Sequence, residues 1–270
     1  MKNKIIVPTD FTGAANQAIR QALVIAKRAG SCVTLFHVSD GKSPSAAEVK
    51  KRLKREAERI SLEGGVMCEA LILEGNVVDM IVQTVCEKDY DLMVIGTHGA
   101  SGIRQKLFGA DILKLVARVP VPVLVVQEDS PLAVTFDKIV VPVSSHHHFR
   151  EAVGVILLIA GLFDVEVHLY SIHKPGFEWT PQMLTNIEEV TVEFEKRGIR
   201  MVRIKEEQND SSLGYARQTL RYAQTIGAEA IWMISVASEE HYYMAKAYKE
   251  AMLLNEYRIP VLCDGGGVDA

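Results

Sequence analysis

The stretch that decides the fold is residues 92–111, LMVIGTHGASGIRQKLFGAD. It opens with an apolar run typical of a buried strand, continues through four glycines and two basic residues, and turns helical at Gly109. Glycines let a backbone approach a phosphate closely, and the free N–H groups at the start of a helix point towards an anion. The stretch therefore predicts a strand, an anion-binding loop and a helix, and it suggests a nucleotide as the ligand.

The glycine spacing excludes two common nucleotide-binding loops. A Walker A loop needs Gly-x-x-x-x-Gly-Lys-Ser/Thr, and no such string occurs in the chain. A dinucleotide-binding loop needs Gly-x-Gly-x-x-Gly, whereas Gly96, Gly99 and Gly102 are each separated by two residues. The loop therefore indicates a different class of nucleotide site.

Length and composition indicate a protein with two domains. The chain has 270 residues, 48% of them apolar, and a formal net charge of −4. That length is comfortable for two domains, and the small charge gives no reason to expect nucleic acid or an anionic membrane as a partner. The first residues lack the apolar segment of a secretory signal, and no apolar run is long enough to span a bilayer. We therefore expect a cytoplasmic protein that binds neither nucleic acid nor membranes, with its four scattered cysteines as reduced thiols.

An internal repeat divides the chain. Three segments of the first half have counterparts in the second: Lys4–Pro8 in Lys138–Pro142, Val33–Phe36 in Val167–Tyr170, and Val119–Leu124 in Arg258–Leu262. The polar turn Glu128–Pro131 lies between two apolar runs and marks the boundary. We therefore predict two copies of one domain, residues 1–130 and residues 131–270.

Strands and helices alternate within the first half. The strand candidates are short and rich in Val, Ile and Leu, and they lie at Ile5–Val7, Val33–Val38, Ala70–Leu73, Leu92–Ile95 and Val121–Val126. The helix candidates carry apolar stripes and lie at Ala14–Ala29, Ala46–Leu62, Val77–Glu87 and Gly109–Arg118. Strands without polar alternation suit a parallel sheet covered on both faces. The predicted fold is therefore α/β, with two tandem doubly wound, mainly parallel five-stranded sheets flanked by helices.

Three segments of the first half together resemble the universal stress protein family. They are the opening strand with its loop, Lys4–Asp10, the glycine loop Gly96–Ala110 and the closing strand Val119–Val126. The resemblance is sharp over residues 1–127 and faint beyond. It implies an adenine nucleotide α-hydrolase-like fold and an adenine nucleotide as the ligand, either AMP or ATP, with Mg²⁺ accompanying ATP.

The resemblance also implies a binding site at the carboxyl edge of the sheet, where ligands of such folds bind. Pro8, Thr9 and Asp10 match the family's loop at the adenine or ribose end. Val38 matches the position whose backbone addresses the adenine edge. The remaining site residues match the phosphate loop, and they are Gly96, Thr97, His98, Gly99, Gly102, Arg104, Gly109 and Ala110.

Two departures from the family pattern affect this expectation. The family usually has Ser or Thr where this chain has Ala110, so a hydroxyl donor is lost. A hydrogen bond to a charged group contributes about 1.5–3 kcal/mol, which corresponds to binding weakened about tenfold or more. In the second half, Ser144 stands at the position of Asp10, and the segment Trp232–Tyr243 contains no glycine. We therefore expect the second half to be a degenerate copy that binds no nucleotide in the same way.

The last strand of each half is predicted to mediate pairing of the two halves. Such a strand would lie at a sheet edge, and exposed apolar edges tend to pair. Members of the family commonly pair through this strand, so we expect Val121–Val126 to lie against Ile259–Cys263 within one chain. A homodimer of whole chains is left open.

No catalytic residues are predicted. Asp10 is the only acid clearly at the ligand edge, because Asp89 and Asp91 precede the fourth strand and are expected at the opposite edge. No Ser-His-Asp or Cys-His arrangement is evident from local sequence. The sequence therefore predicts a stress-response or regulatory protein that binds an adenine nucleotide, with at most weak ATPase activity. Two alternatives are an interaction scaffold that binds no ligand and a slow ATP hydrolase.

Two further patterns are interpreted as solvated surface. The run His146–His148 has no cysteine or acid at ligand spacing, so no metal site is predicted there. The basic residues from Lys50 to Arg59 are expected to form the wet face of an amphipathic helix rather than a nucleic-acid contact.

Overall fold

The structure is a computed structural model that describes residues 4–39, 46–97, 109–173, 175–176, 178–207, 214–235 and 242–266. Within these ranges, ten strands alternate with eight helices. The elements of the first half are β1 (Lys4–Pro8), α1 (Gly13–Ala29), β2 (Cys32–Ser39), α2 (Ala46–Gly64), β3 (Cys68–Glu74), α3 (Val77–Glu87), β4 (Leu92–Thr97), α4 (Gly109–Arg118) and β5 (Val123–Gln127). Those of the second half are β6 (Lys138–Pro142), α5 (Phe149–Ala160), β7 (Glu166–His173), α6 (Pro181–Lys196), β8 (Arg200–Glu207), α7 (Gly214–Thr225), β9 (Ala230–Met233), α8 (Tyr242–Leu253) and β10 (Val261–Cys263).

The strands form one sheet in the order β3-β2-β1-β4-β5-β10-β9-β6-β7-β8. Every neighbouring pair is parallel except β5 and β10, which are antiparallel, with Leu124 opposite Leu262. We call this pair the β5–β10 seam. The order of β1–β5 recurs in β6–β10 on the other side of the seam. The predicted α/β fold with mainly parallel strands is confirmed, and its two five-stranded sets are joined edge to edge into a single sheet.

Local sequence sets the boundaries of the elements. The Thr12 hydroxyl accepts a hydrogen bond from the Ala15 N–H at 3.3 Å at the start of α1, and Gly30 ends that helix with a φ of 64°. The observed helices of the first half begin and end within two residues of the predicted ones. The fifth strand begins at Val123 rather than at the predicted Val121, because Pro122 has no N–H to donate to the sheet.

Both faces of the sheet are covered by helices. One apolar core is formed with α1, α2, α5 and α6, and the other with α3, α4, α7 and α8. Side chains of a strand alternate between the two faces, so Ile5 and Val7 enter one core and Ile6 enters the other. Both cores include residues of β5 and β10, so the packing continues across the seam. This double coverage explains why the central strands lack polar alternation.

Two buried glutamines of α1 hold the segment that connects the halves. The Gln17 amide donates to the carbonyl oxygen of Ser130 at 2.6 Å. The Gln21 side chain donates to the carbonyl oxygen of Ala133 at 2.8 Å and accepts from its N–H at 2.9 Å. Both side chains are almost fully buried. The connection after β5 is therefore fixed against the first half by hydrogen bonds that satisfy its backbone.

The surface agrees with a solvated basic face on α2. Lys50, Lys51, Lys54 and Arg55 are exposed, and Arg59 pairs within the helix with two glutamates.

The four cysteines are free thiols. In the part of the chain that the structure describes, no helix is both long and apolar enough to cross a membrane.

Candidate functional site

The candidate site lies where the strand order reverses in the first half. From β1 the chain continues outwards to β2 and β3 on one side, and it returns to β4 and β5 on the other. The helices that follow these two strands, α1 and α4, pack on opposite faces of the sheet, so a crevice opens at its carboxyl edge. In open α/β sheets, ligands bind at this position.

A cleft is present at this point, which we call the β1–β4 cleft. Its lining comprises Pro8, Thr9, Asp10, Ala15, Phe36, His37, Val38, Val77, Ile81, Ile95 and Gly96. Five of the residues predicted from the sequence lie in it, namely Pro8, Thr9, Asp10, Val38 and Gly96. The volume that these residues enclose is about 60 Å³, whereas whole ligand pockets measure about 300–1,000 Å³. The described residues therefore form the floor of a site, large enough for one edge of a ligand.

The loop after β1 is held in place by hydrogen bonds to its own residues and to β2. The Thr9 N–H donates to the Phe36 carbonyl at 2.8 Å, and the Thr9 carbonyl lies 2.7 Å from His37 Nδ1, which must donate because a carbonyl only accepts. Asp10 Oδ1 accepts from both the N–H and the hydroxyl of Thr12, at 3.1 and 2.6 Å. Asp10 is exposed at the mouth of the cleft, so its carboxylate is oriented and remains accessible to solvent.

Phe11 follows Asp10 and adopts an unusual backbone conformation. Its φ is 64°, in the left-handed region that non-glycine residues rarely occupy. Its ring packs against the His37 ring, with 5.1 Å between centroids, and the Arg52 guanidinium lies 4.1 Å above the ring. These two contacts of the ring stabilise the conformation and fix the direction in which Asp10 leaves the sheet.

Gly96 has a packing role that the sequence did not reveal. A Cβ atom added there would lie 2.2 Å from the Ala14 carbonyl oxygen and 2.8 Å from the Ala15 nitrogen. The first turn of α1 therefore packs directly on the backbone at the end of β4. Only glycine allows this approach, whatever the adjoining loop binds.

The other predicted phosphate-loop residues are placed differently. Thr97 ends β4, is 2% exposed and pairs in register with Gln127, and it does not line the β1–β4 cleft. Gly109 and Ala110 begin α4, as predicted. The predicted residues between them, His98, Gly99, Gly102 and Arg104, lie outside the described residues, so their part in the site stays a prediction.

Several cleft residues were not predicted from the sequence. Phe36 lies two residues before the predicted Val38 on β2 and faces the same side of the sheet, and Val77 and Ile81 lie one turn apart on α3. Their spacing in the sequence indicates that they share a face of a strand or helix, but it does not distinguish the lining of a cleft from an ordinary apolar core. By contrast, Asp91 lies at the opposite edge, where it accepts a hydrogen bond from the Lys4 N–H at 3.2 Å. Among the described residues, no group of three or more His, Cys, Asp or Glu side chains is arranged to hold a metal ion.

The second half has larger side chains at the corresponding positions. Counting along the paired strands, Phe149 corresponds to Ala15 and Ile234 corresponds to Gly96. Phe149 is fully buried, and its ring lies edge-on to Trp232 with 5.4 Å between centroids. An aromatic ring therefore fills the region where α1 leaves room in the first half.

A buried polar cluster lies at the end of β9 in the second half. The Lys249 ammonium donates to the Ser235 carbonyl at 3.0 Å, and Asp264 accepts from the Ser235 N–H at 2.6 Å. Burial lowers the pKa of Lys249 to about 8 and raises the pKa of Asp264 above its usual range. The two side chains therefore satisfy the backbone carbonyl and N–H of Ser235, just after β9. Local sequence patterns did not indicate this role.

Comparison with known proteins identifies the family. The sequence model of the universal stress protein family matches residues 1–127. A universal stress protein of Methanocaldococcus jannaschii is 30% identical over 139 residues, which is 46% of this chain and 82% of the relative. One of Thermus aquaticus is 28% identical over 137 residues, which is 47% of this chain and the whole of the relative.

Solved structures extend the similarity in fold to both halves. A universal stress protein of Archaeoglobus fulgidus aligns with a TM-score of 0.71 at 17% identity, covering 99% of this chain and all of the other. A protein of unknown function from Pseudomonas aeruginosa aligns with a TM-score of 0.62 at 18% identity, covering 97% of this chain and 92% of the other. The family match in sequence, together with the 30% identity to a relative that it largely covers, shows that the chain belongs to the universal stress protein family.

Proposed function

We propose that the protein binds an adenine nucleotide, AMP or ATP, in its first half and has a stress-response or regulatory role. The proposed contacts are Pro8, Thr9, Asp10, Val38, Gly96, Thr97, His98, Gly99, Gly102, Arg104, Gly109 and Ala110. We further propose that residues 1–130 form the nucleotide-binding domain and that residues 131–270 form its degenerate partner.

The observation that carries the proposal is the convergence of Asp10, Val38 and Gly96 on one cleft at the switch point of the sheet. Phe36, Val38 and Ile81 provide apolar walls suited to the flat faces of a base. Asp10 stands exposed at the mouth, where a carboxylate accepts hydrogen bonds from ribose hydroxyls. The cleft thus suits the nucleoside end of the ligand.

The phosphates would extend from the cleft towards the start of α4. A helix start offers free N–H groups and the positive end of the helix dipole, which favours anions. Arg104, in the loop before α4, would add a bidentate partner for phosphate oxygens. With ATP, Mg²⁺ would accompany the phosphates. The small enclosed volume of the β1–β4 cleft agrees with this division, because it has room for only one end of a nucleotide.

The second half would serve as a structural partner. Phe149 supplies bulk where Ala15 leaves space in the first half, and Ile234 stands at the position of Gly96, which supports nucleotide binding by one half only. The antiparallel contact of β5 and β10 supports an internal arrangement equivalent to a dimer, since a tether raises the effective concentration of the partner.

Calorimetric titration of the whole chain with AMP, ADP and ATP, with and without Mg²⁺, tests the proposal. Asp10→Asn is the informative variant, because an amide keeps the oxygen that accepts from Thr12 but removes the charge and one acceptor facing the ribose. We expect about tenfold weaker binding or more, the loss associated with a hydrogen bond to a charged group.

Asp91→Asn is the matched control, because it makes the same change at the opposite edge of the sheet. It should bind with the wild-type affinity. Absence of heat with all three nucleotides would refute the proposal and favour the ligand-free scaffold. Equal losses in the two variants would show that Asp10 does not contact the ligand.

A further inference from the structure

A second cavity lies beside the β1–β4 cleft, between α1 and α2, and we call it the α1–α2 groove. It has a volume of about 550 Å³, within the range of about 300–1,000 Å³ that is typical of ligand pockets. Leu23, Leu35 and Leu53 contribute apolar surface to its lining. Thr9 lines both cavities, whereas Phe11 lines only the groove, so the segment Thr9–Phe11 separates them.

Three carboxylates line the groove, and each is engaged elsewhere. Glu56 accepts two hydrogen bonds from Arg59, at 3.1 and 2.6 Å, and this contact lowers the pKa of Glu56. Asp129 lies 3.5 Å from the Arg258 guanidinium. The Glu128 carboxylate lies against Gly13 at the start of α1, so close that a Cβ atom on Gly13 would collide with it. Glu56 and Asp129 are therefore paired with arginines, and Arg59 is engaged by its own helix.

Two other cations of the lining have no carboxylate within ion-pair distance among the described residues, although Arg52 is attracted by Glu56, four residues further along α2. Arg20 on α1 and Arg52 on α2 form no ion pair with any residue that the structure describes. Arg52 is held by the Phe11 ring, with its guanidinium 4.1 Å from the ring centre, a contact that keeps the N–H groups available. Fixing a guanidinium in advance lowers the entropy lost when an anion binds.

We propose that the α1–α2 groove binds a small organic dianion, either a phosphate monoester or a dicarboxylate. Arg20 and Arg52 would hold the charged group, since planar guanidinium groups match the oxygens of phosphate and carboxylate. The leucine surface would contact the carbon body of the ligand. Two guanidinium groups that line one cavity of ligand size, neither in an ion pair with a described residue, carry this proposal. It does not depend on nucleotide binding in the β1–β4 cleft.

Nuclear magnetic resonance of the ¹⁵N-labelled whole chain tests the site directly. The Nε–Hε signals of Arg20 and Arg52, assigned by their loss in Arg20→Gln and Arg52→Gln, are followed during titration with glycerol 3-phosphate and, separately, with succinate. We expect saturable shifts of both signals with one of the two compounds. The tighter compound identifies the ligand class.

Lys51→Gln is the matched control, because it removes one positive charge from the neighbouring position of α2, outside the lining. Affinity measured by calorimetry should fall about tenfold in either arginine variant and stay unchanged in Lys51→Gln. The proposal is overturned if neither compound saturates the shifts by about 10 mM, well above the dissociation constant of a weak millimolar site. Equal affinities of Arg52→Gln and the wild type would overturn it as well.

Discussion

Replacing Gly96 with alanine should destabilise the protein even without a ligand. The added methyl carbon would lie 2.2 Å from the Ala14 carbonyl oxygen, whereas ordinary van der Waals contacts of a Cβ atom begin at 3.4 Å. The neighbouring atoms belong to the backbone of α1, so they cannot rotate away as a flexible side chain would. Relief therefore requires α1 and β4 to separate by about 1 Å, in a core that is packed as densely as an organic crystal.

The expected loss is at the upper end of the cost of overpacking. Extra methyl groups in packed cores cost about 1–3 kcal/mol, and a shift of a whole helix supports a value of about 3 kcal/mol. For a chain of this size, each kcal/mol lowers the melting temperature by about 2–4 °C, so the midpoint should fall by roughly 6–12 °C. Thermal and urea unfolding followed by circular dichroism in the absence of nucleotide measures both quantities.

Gly154→Ala is the matched control. Gly154 lies within α5, and a Cβ atom there would meet nothing within 4 Å. Alanine is the better helix former, so this variant should be more stable than the wild type by about 0.5–1 kcal/mol. If Gly96→Ala unfolds at the wild-type temperature and loses only nucleotide affinity, the glycine serves the ligand rather than the packing of α1, and the reasoning is refuted.

Two further predictions concern buried polar side chains. Gln21→Ala leaves the N–H and the carbonyl oxygen of Ala133 without their hydrogen-bond partners. Because each buried polar group without a partner costs about 1–3 kcal/mol, the free energy of unfolding measured in urea should fall by about 3 kcal/mol. Gln83→Ala is the control, because Gln83 is exposed, and it should change the free energy of unfolding by less than about 0.5 kcal/mol. Equal losses in the two variants would show that the hydrogen bonds of Gln21 do not stabilise the fold. Burial lowers the pKa of Lys249 from 10.5 to about 8, so between these values the unfolded chain binds more protons than the native one and stability rises with pH. The free energy of unfolding of the wild type, relative to that of Lys249→Met, should therefore rise by up to about 3 kcal/mol from pH 8 to pH 10.5. If the difference between the two proteins does not change with pH, the Lys249 ammonium is not desolvated.

Much of the first half could be predicted because its signals are local. The stripe of Ala18, Ala22 and Ala26 indicated α1, and the short runs rich in Val, Ile and Leu indicated β1, β2 and β4. A parallel sheet places the carboxyl ends of these strands at one edge. The sequence alone therefore predicts that Asp10, Val38 and Gly96 share one site, as they do in the β1–β4 cleft.

The placement of the loop 98–108 remains a prediction from its glycine pattern. The buried glutamines Gln17 and Gln21 were missed for a different reason. On a helix, glutamine indicates a solvated face, and only the linker that passes over α1 from residue 130 to residue 133 explains their burial.

The sequence by itself determined the order of strands and helices and, through the resemblance of its three motifs, the family and the edge of the sheet where the site lies. These features depend on neighbours two to four residues apart, whose side chains share a face of one strand or helix. Only the tertiary structure decided that Gly96 packs on α1, that Arg52 lies over Phe11 beside a second cavity, and that the expected pairing of β5 with β10 is antiparallel, with Leu124 opposite Leu262. Such contacts join residues far apart in the chain. They depend on how the packed helices and strands lie against one another, and no local pattern encodes that geometry.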